Sequence, residues 1–139
     1  MEITANAIQT VAAGANVIFT DTVVSGNCSI MHREGSGLVT LRGLTNQCRA
    51  RFRVSFGGNI AIPTGGTVGP ISLAIAINGE PVATTTMIST PAAVEEYNNV
   101  FSAIFLDVPK GCCSQVSVRN TSDQPIEVQN ANLIIERVA

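Results

Sequence analysis

The chain has no tryptophan, a single tyrosine and a single histidine in 139 residues. Charge is scarce as well: Asp, Glu, Lys and Arg make up 13%, about half the roughly 25% of an average soluble domain. A domain of this size with so few charges leaves much uncharged surface outside, and oligomerisation is a common way to cover it. Neither sign of charge dominates, since the net charge is −2. Non-specific nucleic-acid binding therefore has no general electrostatic support. No apolar run approaches the roughly 20 residues of a spanning helix, so no membrane partner is expected. The N-terminus, Met1 to Thr10, lacks the basic start and apolar core of a signal peptide, which points to synthesis in the cytoplasm.

What is present favours strands. Twelve Gly and six Pro accompany many Val, Ile and Thr, the composition of short extended segments joined by turns. The length fits one domain, residues 1–139, with residues 1–14 as an arm or first strand. The clearest segment is Ile71 to Val82. Leu73, Ile75 and Ile77 recur every second residue, small Ala74 and Ala76 alternate with them, and Asn78-Gly79 closes the run as a hairpin turn. Both faces are apolar, so both should be covered, by a second sheet or by a neighbouring subunit.

Other strands follow the same logic. Val17 to Val24, Cys28 to His32 and Leu38 to Leu41 read as extended, with Arg33 to Gly37 as a turn. From Arg49 to Phe56, Ala50, Phe52, Val54 and Phe56 face one way and Arg49, Arg51, Arg53 and Ser55 the other, ending at Gly57-Gly58. Val82 to Ser89 is a Thr-rich edge strand, and Pro91 to Asn99 is the one place for a helical turn. Val100 to Val108 and Gln115 to Arg119 alternate. The last strand, starting at Ile126 and Val128, slips phase near Asn130-Ala131-Asn132 as a β-bulge would make it. Eight to ten short strands with no βαβ alternation indicate an all-β sandwich or barrel.

The order of these pieces carries a resemblance. An alternating strand ending in Ile-Asn-Gly-Glu-Pro-Val is followed by Val108-Pro109-Lys110-Gly111, then Val116-Ser117-Val118-Arg119-Asn120, then an apolar strand ending in Leu133-Ile134-Ile135-Glu136-Arg137. Over roughly residues 45–139 this resembles the tumour-necrosis-factor-like, or complement-head-like, jelly roll of bacterial and phage proteins, such as the heads of collagen-like spore-surface proteins. The resemblance implies a two-sheet antiparallel jelly roll packed as a homotrimer, its inner sheets near the three-fold axis, with a binding or structural role in place of catalysis. No collagen-like Gly-X-Y stalk accompanies it. The expectation is therefore a structural protein of a phage or prophage particle, a capsid decoration or fibre component that docks on a larger assembly. The alternative is a surface module recognising glycan or protein on a spore or cell.

Phe52, Val54, Phe56, Phe101, Ile104 and Phe105 are the residues expected at the subunit interface. Arg49, Arg51 and Arg53 put three guanidinium groups on one strand face, a row suited to an anion or an acidic partner, or else neutralised by carboxylates such as Glu34, Glu95, Glu96 or Glu136. Cys28, Cys48, Cys112 and Cys113 are expected to be reduced, structural thiols. With His32 they offer soft ligands on paper. The Cys28–His32 spacing matches no zinc finger, and along a strand it spans about 13 Å, so no metal and no cofactor is expected. A thiol nucleophile at Cys28 or Cys112 lacks a recognisable orienting group. Glu95-Glu96 beside Tyr97 reads as polar surface, no loop has a calcium ladder around Asp21, Asp107 or Asp123, and neither glycine pair precedes a helix.

Overall fold

A computed structural model describes all of residues 1–139 as two antiparallel sheets packed face to face. Twelve strands make them: β1 (Glu2–Ala5), β2 (Gln9–Val11), β3 (Asp21–Val24), β4 (Ile30–His32), β5 (Val39–Arg42), β6 (Arg49–Ala61), β7 (Ile71–Ile77), β8 (Glu80–Pro81), β9 (Met87–Ser89), β10 (Asn98–Pro109), β11 (Cys113–Asn120) and β12 (Ile126–Arg137). The first sheet runs β10-β6-β12-β1-β3, with β2 also on β12; the second runs β4-β5-β11-β7-β8, with β9 also on β7. This is the all-β, two-sheet jelly roll.

The long strands β6, β10 and β12 form the centre and one edge of the first sheet, each alternating between a buried and an outer face. Phe52, Val54 and Phe56 of β6, Val108 of β10 and Leu133 of β12 all point inward and are wholly buried. Across the core they meet Leu41, Leu73, Ile75, Val116 and Val118 of the second sheet in one cluster of 27 buried residues. Phe19 stands edge-on to Phe56 at 6.3 Å and to His32 at 6.4 Å, the T-shaped arrangement that aromatic quadrupoles favour.

β6 does not stop at Gly57-Gly58. β10 pairs with both glycines and beyond them to Asn59 and Ile60. Gly58 is there because a Cβ would come within 3.3 Å of the Phe56 ring and 3.4 Å of the Ala131 backbone. β12 crosses the same region with a register shift between Gln129 and Asn132, and Asn130 takes a left-handed φ of 55°. This is the β-bulge where the sequence loses phase.

The Asn78-Gly79 turn has φ of 52° and 83°, so both central residues are left-handed as a type I′ hairpin requires. The strand after it is shorter than the sequence suggests. Only Glu80 and Pro81 pair before a 3₁₀ turn at Ala83–Thr85, and the chain rejoins the sheet at Met87. Thr85 explains the gap: its buried Oγ1 accepts from the Ile75 amide at 2.9 Å and donates to the Val82 carbonyl at 2.7 Å, replacing a backbone ladder bond. Segment 91–97 contains turns and bends without helix. Residues 17–20 form only an isolated bridge, Phe19 to Ser36, before β3 begins at Asp21.

Ala74 and Ala76 are fully buried within the single chain. Arg119, opposite Ala74, reaches the Gly79 carbonyl at 2.9 Å, so its stem runs along this small face. Asn120 is also fully buried. Its amide donates to the Val11, Ala12 and Gln124 carbonyls, and its Oδ1 accepts from the Ser122 amide, which ties the N-terminal segment to the β11–β12 turn.

The division of β6 into a buried and an outer face gives a quantitative expectation. Phe56→Ala should cost about 3–5 kcal/mol of unfolding free energy by opening the core. Phe101→Ala, on the outer face of β10, should change the stability of the isolated chain by less than about 0.5 kcal/mol. Urea unfolding of the two variants checks this; equal losses would contradict the assignment of faces.

A candidate interaction face on the first sheet

The outer face of the β10-β6-β12-β1 sheet can be read row by row from its register. Phe101 lies opposite Gly57, which lies opposite Asn132, which lies opposite Thr4. The next row is Ala103, Ser55, Ile134 and Glu2, and the next Phe105, Arg53 and Glu136. Phe101 and Phe105 are 64% and 63% exposed, and Ile134 40%. Small residues occupy β6 between them, and a Cβ at Gly57 would sit 3.6 Å from the Phe101 ring. The result is a mixed face on which Phe101 stands beside Gly57 and Phe105 beside Arg53, with Ala103, Ser55 and Ile134 in the row between them.

The expected interface residues divide by strand parity. Phe52, Val54 and Phe56 are 0% exposed and belong to the core of the single chain, so they cannot themselves touch a second subunit. Alternation puts residues on two faces without saying which face is the interior, and in β6 the interior takes the phenylalanines. Ile104 has the same inward parity on β10 and packs against the core while partly exposed. Phe101 and Phe105 stand on the outer face.

Arg49, Arg51 and Arg53 do share the outer face, at one end of it. Each already has a carboxylate partner. Arg51 holds Asp107 through two bonds, 2.7 Å from Nε to Oδ1 and 3.0 Å from Nη2 to Oδ2. Arg49 Nε lies 3.0 Å from the same carboxylate, and Arg53 lies 3.9 Å from Glu136. Hydrogen bonding from Arg51, with the charges of Arg51 and Arg49, holds the Asp107 carboxyl below the usual carboxylate range, and the same bond raises Arg51. The row is a ladder of exposed ion pairs, in which three guanidiniums face two carboxylates. Glu136 was among the carboxylates considered from sequence and Asp107 was not; Asp107, 56 residues from Arg51, meets it through the β6–β10 register.

The other candidates separate. His32 Nε2 donates to the Ser36 carbonyl at 2.9 Å, and its buried Nδ1 has no hydrogen-bond partner, a cysteine sulfur included. No three His, Cys, Asp or Glu side chains converge as metal ligands. All four cysteines are unpaired and exposed, so they are not the packed structural thiols expected from sequence.

A second cluster joins Glu95 and Tyr97, which read from sequence as polar surface, to Thr64 and Glu127, which lie 31 and 30 residues away in the chain. Glu95, at a left-handed φ of 59°, accepts from the amide and hydroxyl of Thr64 at 3.0 and 2.9 Å. Tyr97 donates to Glu127 at 2.8 Å. The two carboxyls meet. Hydrogen bonding to Glu95 raises Glu127, while hydrogen bonds with Glu127 and Thr64 lower Glu95. Burial, with the neighbouring Glu127, pushes Tyr97 up to about 12. The strand neighbours of Glu127 are Thr10 and Ala61, neither charged. Of the two carboxyls, Glu127 takes up a proton before Glu95 as pH falls.

Its effect on stability has a definite sign. The contribution of Glu127, whose folded pKa is raised, is complete below the unfolded value of about 4.3 and is lost as pH rises through its folded value. The contribution of Glu95, whose folded pKa is lowered, is present above about 4.3 and is lost as pH falls through its folded value. Glu127→Gln keeps the neutral partner at every pH. Its Tm should exceed that of the wild type near about pH 7 and converge with it near about pH 4. Parallel melting curves across that range would contradict the raised Glu127.

No family model and no curated protein matches the sequence. Solved structures do resemble the fold. Eiger TNF from S. frugiperda superposes with a TM-score of 0.68 at 14% identity, covering 100% of this chain and 92% of that one. The globular domain of zebrafish complement 1qA protein gives 0.63 at 13%, covering 96% and 93%. Murine APRIL gives 0.61 at 8%, covering 97% of both chains. At these identities the likeness is one of fold, and it extends over essentially the whole chain: the architecture is a jelly roll of the TNF and complement-head type.

Proposed function

We propose that this chain is a non-enzymatic structural protein that assembles as a homotrimer through the outer face of the β10-β6-β12-β1 sheet. The observation that carries this reading is the pair Phe101 and Phe105, nearly two-thirds exposed on one face of a regular strand, Phe101 beside Gly57 and Phe105 beside Arg53. Burying an aromatic ring of this size is favourable by roughly 1.5–3 kcal/mol, so six such rings around an axis supply a substantial driving force. The three-fold order follows from the TNF-like resemblance, which places the inner sheets at the axis. The Arg53–Glu136 pair lies in the Phe105 row, and the pairs of Arg49 and Arg51 with Asp107 lie beyond it at the end of the face, where the polar rim of an interface would be.

The assembled trimer serves as a component of a phage or prophage particle, a capsid decoration or a fibre piece, made in the host cytoplasm. This rests on the kind of jelly roll that the sequence resembles and on a site without a catalytic constellation of its own. The surface-module alternative has less support: Arg49 and Arg51 are engaged by Asp107, and Tyr97 by Glu127.

The double variant Phe101→Arg/Phe105→Arg should elute as a monomer with an unchanged circular dichroism spectrum, while the wild type elutes as a trimer. Double-variant and wild-type chains of the same size would contradict the interface. Mass spectrometry of particles purified after prophage induction should find the chain among the virion proteins; its absence from intact particles would remove the particle assignment.

A further inference from the structure

The four cysteines lie at one pole of the sandwich. Gly43 is the hub. Arg42, just before it, donates its amide to Ser29, next to Cys28, at 2.8 Å and pairs in register with Cys113. Gly43 itself donates to the Cys112 carbonyl at 2.9 Å and accepts from Gly111 at 3.1 Å. Lys110 donates to the Cys48 carbonyl at 3.0 Å. The approach is close enough that a Cβ at Gly43 would meet the Pro109 oxygen at 2.1 Å. The opposite pole, where the 63–70 loop, the 91–97 segment and the 121–125 turn lie, has no thiol.

Exposure is the second observation. Unpaired cysteine is among the most buried residue types, packing as a small hydrophobe. Here all four are exposed, and none has a partner within the chain. Cys112 and Cys113 are neighbours on a tight β10–β11 turn, with Gly111 at φ 77° and the Cys112 amide bonded to the Pro109 carbonyl at 3.0 Å. Two adjacent cysteines bond each other only through a strained eight-membered ring, so Cys112 and Cys113 do not close on one another. No three ligating side chains converge, so this is not a preformed metal cage.

We infer that this pole is a covalent docking face for a second copy of the chain, closed by disulfides under oxidising conditions. The chemistry needs a small disulfide such as oxidised glutathione as the oxidant. A cysteine thiolate attacks it, forming a mixed disulfide and releasing one glutathione thiolate. A cysteine thiolate of the facing copy then attacks the protein sulfur of that mixed disulfide and releases the second. One protein disulfide forms, the oxidant is reduced to two thiols, and the two protons from the cysteines go to the two glutathiones.

Because the thiols occupy one pole only, the product closes. Pole meets pole about a two-fold axis, and no thiol is left at the far ends to extend a chain. The particle mass should double and go no further. That ratio is independent of the trimer proposal, because the mass under reducing conditions reports the non-covalent unit separately.

Light scattering of the full chain, before and after treatment with oxidised glutathione, tests the inference. The expected result is a twofold increase in mass that dithiothreitol reverses. A variant with all four cysteines changed to serine should keep the reduced mass and lose the doubling. An unchanged mass on oxidation, with the thiols consumed as glutathione adducts or within one unit, would overturn the inference. So would a product that grows past two units, or doubling that persists in the serine variant.

Discussion

The fold depends on the period-two alternation of β6 and of the strands it joins, β10 and β12. Apart from the bulge at Asn130, alternate residues of these long strands enter a single apolar layer shared with the opposite sheet, and there Phe52, Val54, Phe56 and Leu133 are sealed from water. Alternation leaves the other half of each strand on the outside. The same geometry that fills the core therefore arranges Phe101, Phe105, Ser55, Gly57 and Ile134 as a regular outer surface. The core accounts for the fold of one chain, and the outer surface for the proposed assembly of several.

Much of this architecture was legible in the residues themselves. The alternating run of β7, its Asn78-Gly79 turn and the phase slip at Asn130 are local signals, and local geometry sets them. The features that were not legible depend on contacts between distant segments. β6 runs on through Gly57-Gly58 because β10 supplies partners for both, which no property of a glycine pair predicts. The Thr-rich stretch after Pro81 leaves the sheet because one side chain, Thr85, takes over a backbone role.

The interaction face shows the same division. The sequence separates the arginines of β6 from its phenylalanines, but the identity of the interior depends on the opposing sheet. Phe52, Val54 and Phe56 turned out to fill it, which leaves the less conspicuous pair on β10 as the exposed aromatics. The arginine row reads from sequence either as a strip open to an anion or as one paired with carboxylates. In the fold it is a ladder of ion pairs, because β10 brings Asp107 between Arg49 and Arg51. Partial neutralisation makes the strip a better rim for a self-association face than a site for a mobile anion.

Structural likeness to TNF and complement-head domains establishes the fold at low sequence identity, and the exposed aromatic rows give that fold a reason to assemble. Sedimentation equilibrium of the wild-type chain in the presence of reductant tests this most directly, since it gives mass without regard to shape. The account predicts a single species of three times the 14.5 kDa chain mass. A 14.5 kDa monomer with its Phe101 and Phe105 face open to solvent would contradict it.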